Sequence, residues 1–254
     1  MQSHTNWIRP AGLFLMAFAV SNAFRLDLFS LDTALSSFSP ALRLPIRVLL
    51  EGSGVFLAAI LGFRLMRDHI PREMNWWGPQ KWRVMLGAAI PIIALTLIGV
   101  KNPEGMNPHV FGLLAGVITW MYCVMEESFW RGYLEDELKS LGFVTRAVIV
   151  GTLWFLWHVS FLENTDLMAN LTFWGILVGA SIGLGQMALK TRSILVVGTA
   201  HMIVNMVMFN TLIRSGISVP LKWGIVAISF VGLFLLIREK KSPELAGISA
   251  EEKS

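Results

Sequence analysis

Charge is scarce in this sequence. Asp, Glu, Lys and Arg make up 15% of its 254 residues, against about 25% in a typical soluble domain, which excludes a surface built wholly for water. Cysteine occurs once, at Cys123, so no internal disulfide can form and nothing points to an oxidising compartment. Tyrosine is nearly missing, with 2 residues beside 16 Phe and 10 Trp, a balance that suits a lipid-facing exterior with interfacial anchors. No Gly/Ser/Pro-rich linker, internal repeat or low-complexity tract marks off a second module. What abounds is apolar: 54% of residues are hydrophobic and the mean hydropathy is +0.60.

The apolar residues gather into runs. A helix needs roughly 20 of them to cross a hydrocarbon core of ~30 Å. Eight spans are expected, at 10–24, 45–66, 82–100, 109–138, 143–162, 170–190, 193–213 and 219–237. The fold class is therefore all-α, a polytopic membrane protein of about eight transmembrane helices. A single transmembrane domain is expected over 1–237 and a soluble tail over 238–254. Arg9 before an apolar stretch that ends near Ser21-Asn22-Ala23 also fits a signal peptide; a retained, tilted first helix is the expectation. Segment 25–44 is polar and Ser-rich and is expected to be a loop or interfacial turn.

With both termini cytoplasmic, 14 of the 21 Lys and Arg fall on the cytoplasmic side. Six (Arg25, Arg43, Arg47, Lys101, Arg214 and Lys222) fall outside, and Arg131 lies within a helix. That asymmetry is the signature of orientation in a cell membrane, such as a bacterial inner membrane. The net charge of +4 is therefore a topology signal. The expected partners are lipid and a protein or peptide substrate, not nucleic acid.

Ionisable groups inside a spanning helix are costly and usually face a cavity or a partner. The fourth span carries Met125-Glu126-Glu127-Ser128-Phe129-Trp130-Arg131. Glu127 and Arg131 are four apart and share a face, so they can pair. Glu126 points about 100° away, so one carboxylate can be structural while the other is free for chemistry. The bland alternative is that the helix leaves the membrane near 126 and ends in water, which Glu135, Asp136 and Glu137 favour. His158 follows Leu153-Trp154-Phe155-Leu156-Trp157, where a lone histidine is more often an ordinary helix contact. His201 and Asn205 are also four apart; they suit either helix glue or donors to a developing oxyanion. Counted from the cytoplasmic helix ends, Glu126, His201 and His158 lie at comparable depths of ~18, ~12 and ~22 Å, so one buried pocket can collect all three. Arg47 and Glu51 are read as an ion pair or pocket wall. Gly175, Gly179, Gly183 and Gly185 are read as a close helix-packing stripe. No role falls to His4, His69 or His109.

At these residues the chain resembles the CPBP family, the CAAX proteases and bacteriocin-processing enzymes also called Abi proteins. The likeness covers roughly 109–213. The family motif E-E-x-x-x-R is matched by Glu126, Glu127 and Arg131. In F-x-x-x-H, His158 is present but Trp154 stands at the Phe position. H-x-x-x-N is matched by His201 and Asn205. The resemblance implies an eight-helix intramembrane protease. Glu126 and His158 would activate a water, His201 and Asn205 would stabilise the oxyanion, and Glu127 with Arg131 would brace the site. Family members have also been described as metalloproteases, and Glu126, His158 and His201 form a zinc-hydrolase ligand set. The spacing is not H-E-x-x-H and Asn205 is a poor zinc ligand, so a metal-free mechanism without cofactor is expected. The competing readings are a non-catalytic bacteriocin immunity or peptide-binding membrane protein, and a small transporter.

Overall fold

A backbone amide in hydrocarbon has no water to bond, so each apolar run must close its hydrogen bonds within a helix. The computed structural model of the chain, described for residues 7–66, 70–79, 81–162, 166–208 and 210–238, does so eight times. The helices are α1 (Ile8–Arg25), α2 (Pro40–Met66), α3 (Lys81–Ile98), α4 (Pro108–Glu137), α5 (Phe143–Trp157), α6 (Leu167–Thr191), α7 (Ile194–Met208) and α8 (Val219–Ile237). Every expected span is one of them, and the described residues hold no strand. Five of the eight, α2, α3, α4, α6 and α8, are long and apolar enough by themselves to cross a membrane.

The helices that carry His201 and, at its C-cap, His158 are the short ones. At 15 residues each, α5 and α7 reach only ~22 Å. The expected span 143–162 stops at Trp157 and continues as a single 3-10 turn, Val159–Phe161. The expected span 193–213 stops at Met208, and a separate turn, Thr211–Arg214, starts at Asn210, whose side chain accepts from the Ile213 N–H. Such breaks are tolerated at membrane depth where protein covers them. Asn210 Nδ2 donates to Thr119 Oγ1 of α4 at 2.6 Å, so the break in α7 is bonded to a neighbour. Pro40, at the first position of α2, is where a proline opens a helix at no cost in hydrogen bonds, which is why α2 begins five residues before the expected 45.

The helix ends alternate between two faces. On one, Arg9 of α1 meets Glu137 of α4 at 3.0 Å. There, too, the strap 70–79 crosses the ends of α4, α6 and α7: Asn75 O accepts from Ile194 N at 2.9 Å. On the other, Lys101 N donates to Gly216 O at 3.0 Å, and Arg43 pairs with Glu104. Arg47 meets Glu51 at 3.2 Å, as expected, and reaches Asp32 as well.

One alternative reading fails, and one expectation holds only in part. The acidic end of α4 is not solvated: Glu135, Asp136 and Glu137 are 5%, 2% and 4% exposed. Glu135 is paired with Arg146 at 2.6 Å, Glu137 with Arg9, and Asp136 accepts the Glu73 and Met74 N–H groups of the strap. The glycine stripe of α6 is a packing seam only at Gly185, where an added Cβ would meet the Phe143 ring at 3.3 Å; Gly175, Gly179 and Gly183 have nothing within 4 Å. The close approach to α6 comes from Gly151 of α5, whose Cβ would meet the Val178 backbone at 2.7 Å. His109 Nδ1 lies 2.9 Å from Thr96 O, a structural contact. His4, His69 and the tail beyond Arg238 lie outside the described residues.

Candidate active site

Gly198 decides how near α7 comes to α4. A Cβ there would stand 3.0 Å from Val124 Cα, so only glycine allows this approach, and His201 and Asn205 are carried in beside Glu126 and Glu127. A second link, Trp120 Nε1 to Thr199 Oγ1 at 3.0 Å, ties the same two helices. The α-helical part of α4 ends at Glu127, and residues Ser128–Tyr133 follow as a π-helix, a local widening that is often found at functional sites.

Glu126 and Glu127 are 2% and 0% exposed, yet they have different partners. Glu126 Oε2 accepts the indole N–H of Trp154 at 2.9 Å. Glu127 Oε1 accepts from Arg131 Nη1 at 3.0 Å and lies 2.8 Å from His201 Nδ1; Glu127 Oε2 is buried with no hydrogen-bond partner. The His201 contact has ion-pair distance without hydrogen-bond alignment, because His201 Nδ1 is itself among the unbonded buried atoms. The expected Glu127–Arg131 pair is thus present, and Glu127 also meets His201. Arg131 further donates through Nη2 to Ser181 Oγ of α6 at 2.9 Å.

Trp154 is the hub. Its ring lies under the Arg131 guanidinium at 4.3 Å, edge-on to His201 at 5.2 Å and tilted to His158 at 5.8 Å. The residue that departs from the family pattern therefore touches both histidines, the arginine and Glu126. A phenylalanine would keep the stacking and lose the N–H. His158 occupies the C-cap of α5, not a helix interior. Its Nδ1 lies 2.8 Å from the Trp154 carbonyl; since a carbonyl only accepts, Nδ1 carries the proton there and a neutral ring accepts at Nε2. Asn205 Nδ2 rests on Cys123 Sγ at 3.6 Å, a weak acceptor, and its Oδ1 is buried without a partner.

Three further neighbours carry no sequence signal that would single them out. Arg25, counted above as a loop cation, folds inward from the end of α1. It donates to the Trp157 carbonyl and to Tyr122 Oη, both at 2.8 Å, with its guanidinium 3.5 Å from the Trp157 ring centroid. Only Ser181, on the exposed-looking helix α6, completes the hold on Arg131. Glu126, His158 and His201, expected at matched depths, are assembled around Trp154. The zinc set is not: among the described residues no three His, Cys, Asp or Glu side chains gather as a metal site. Glu126 turns to the indole, and His201 turns Nδ1 to Glu127.

The model of the family described as type II CAAX prenyl endopeptidase Rce1-like matches residues 107–207, from the Asn107 cap of α4 almost to the end of α7. No curated protein matches the chain. The matched stretch holds Glu126, Glu127, Arg131, Trp154, His158, Ser181, His201 and Asn205, so all of the site but Arg25 lies within it. Over that stretch, this helical membrane protein is similar to the Rce1-like CAAX endopeptidases.

Proposed function

We propose that the chain is an intramembrane endopeptidase, of the CPBP type, that hydrolyses a peptide bond of a membrane-associated or secreted protein or peptide. The observation that carries this reading is the buried Glu126 held at one oxygen by Trp154, beside His201, Glu127 and Asn205, inside the family-matched segment. The matched family is named for prenylated CAAX substrates; for this chain the substrate class is the broader one, a polypeptide presented at the bilayer.

In this mechanism Glu126 Oε2 stays on the indole while Oε1 takes a proton from a water that His158 helps to hold. The water oxygen adds to the scissile carbonyl carbon, and the displaced C=O electron pair becomes an oxyanion. Asn205 Nδ2 leaves Cys123, a small loss because sulfur accepts weakly, and donates to that oxyanion together with His201. With Nδ1 turned to Glu127, His201 donates from Nε2. The proton on Glu126 then passes to the leaving nitrogen as the C–N bond breaks. Arg131 offsets the charge of Glu127. No step needs a metal.

The test uses the full-length protein in proteoliposomes with host membrane proteins, reading new polypeptide ends by mass spectrometry. Wild type is expected to create specific ends and Glu126→Gln to lose cleavage by about 10²–10⁴-fold while remaining folded, with activity surviving zinc chelators. Equal cleavage by Glu126→Gln removes Glu126 as the base. Activity lost to chelation and restored by zinc removes the metal-free mechanism. If both proteins protect a host from a toxic peptide and neither cuts it, the chain is a binding protein.

A further inference from the structure

Away from this site, a cavity of about 560 Å³ opens between α6 and α8 over the start of α7. Its walls are mostly apolar, from Val84, Met187, Val196, Phe234 and Ile237. Gly183 contributes no side chain, and an added Cβ there would meet nothing within 4 Å; the glycine that packs against no helix leaves this space open. At the end nearer the membrane surface the lining changes. Lys190, in the last turn of α6, and Arg238, just past α8, stand there with Trp77 of the strap. Among the described residues no acidic side chain lines the cavity, whereas the nearby Arg192 and Lys139 are both held by Glu73. This face also gathers the helix ends whose loops hold most of the Lys and Arg.

An apolar cleft between spanning helices cannot be filled by water without loss, and a hydrocarbon chain fits it. Two cations and an interfacial tryptophan at the mouth complement a phosphate at headgroup level, the arrangement by which basic pockets between helices hold anionic lipids. A free phosphate would gain nothing from the apolar walls. We propose that this cavity binds one anionic phospholipid of the leaflet on that face, its phosphate between Lys190 and Arg238 and an acyl chain laid between α6 and α8. The proposal is independent of the reading of Glu126.

The experiment is native mass spectrometry of the full-length protein released from vesicles of phosphatidylcholine with phosphatidylglycerol, with affinities from lipid titration. Wild type is expected to retain phosphatidylglycerol in preference to phosphatidylcholine. Lys190→Gln with Arg238→Gln should weaken that binding roughly thirtyfold, about fivefold for each charge. Gly183→Leu, which fills the cleft and keeps both charges, should weaken it too, and Lys101→Gln with Arg214→Gln, on the opposite face, should not. Equal retention of the two lipids, or retention unchanged in both cleft variants, overturns the site. So does competition by millimolar inorganic phosphate as effective as by the lipid, which would make it a free-anion site. Preference that appears only after the chain is shortened past Ser242 overturns it as well, since the occupant would then be the chain's own tail.

Discussion

Helix α4 carries five buried acidic residues in two groups, and they do different work. At its end, Glu135, Asp136 and Glu137 are each matched to a fixed partner: Arg146, two strap amides and Arg9. Those contacts tie α1, α5 and the strap to one helix end. Nine residues before Glu135, Glu126 meets a neutral indole, and Glu127 must serve Arg131 and His201 with one oxygen while its other has no hydrogen bond. Burial alone therefore does not mark a functional carboxylate, because both groups are equally buried. The distinction lies in partners. A carboxylate answered by a cation or by backbone N–H groups is a strut, and one given a single neutral donor retains capacity for a proton.

The largest effect that sharpens this contrast is expected at Glu127. Glu127→Gln leaves Arg131 buried without its counter-charge, a loss of about 3–5 kcal/mol, so the protein should unfold at markedly lower temperature and lose activity together. Glu137→Gln should cost less, because Arg9 is 18% exposed and can turn to water, and it should leave turnover per folded molecule intact. Thermal unfolding in detergent beside a cleavage assay checks both. If Glu137→Gln silences a folded protein, the two groups are not functionally distinct.

Next comes Asn205→Leu. Membrane hydrogen bonds average only about 0.6 kcal/mol, and the bond lost here is to sulfur, so stability should barely change. Removing an oxyanion donor costs about 10²–10³-fold in turnover, so kcat should fall by that order with KM little altered. Normal cleavage, or a protein missing from the membrane, would leave Asn205 as helix glue.

Smaller again is Trp154→Phe. The substitution puts the family's own motif residue in place, keeps a ring beneath Arg131 and removes only the N–H on Glu126. A hydrogen bond to a charged group is worth about 1.5–3 kcal/mol, and part of it should be recovered by water, so kcat should drop about tenfold with the fold retained. A variant as fast as wild type would show that Glu126 needs no fixed donor.

Much of this was legible from the chain because hydrocarbon permits little else: eight apolar runs became eight helices. Spacing by four put Glu127 with Arg131, and His201 with Asn205, on shared faces. Matched depth brought the three helices together. What could not be read depends on contacts distant in sequence. Nothing near Glu135 announces Arg146 and the strap, so three carboxylates in a row looked like an end in water. Nothing beside Arg25 says that it turns inward. The glycines of α6 looked like a seam because spacing reveals a smooth face but not whether a neighbour lies on it. His158 was misplaced within its helix because the capping bond that ends α5 is made by its own side chain.

The smallest effect belongs to the rim of the strut region, at Glu73. This exposed carboxylate accepts from Lys139 at 3.4 Å and from Arg192 at 2.6 Å, joining the strap to the ends of α4 and α6. The hydrogen bond from Lys139, ahead of the attraction of the two cations, holds its carboxyl below the ordinary range, which is about 4.3 for Glu. A depressed folded value means that the contribution is fully present above the unfolded value and is lost as pH falls through the folded one. The contribution of Glu73 to strap protection should therefore be constant from neutral pH down to about 4.3 and weaken below it. Surface pairs contribute little and are screened by salt, so the change should be confined to the strap and shrink at high ionic strength. Asp136 faces the same strap amides and Arg72 lies nearby, so the carboxylates must be separated. Glu73→Gln removes one of them and leaves Asp136 in place. Amide hydrogen exchange of residues 72–76, followed across that pH window in both proteins, should show an acid-induced increase in wild type that the variant lacks. An identical increase in the two would show that the acid response does not come from Glu73.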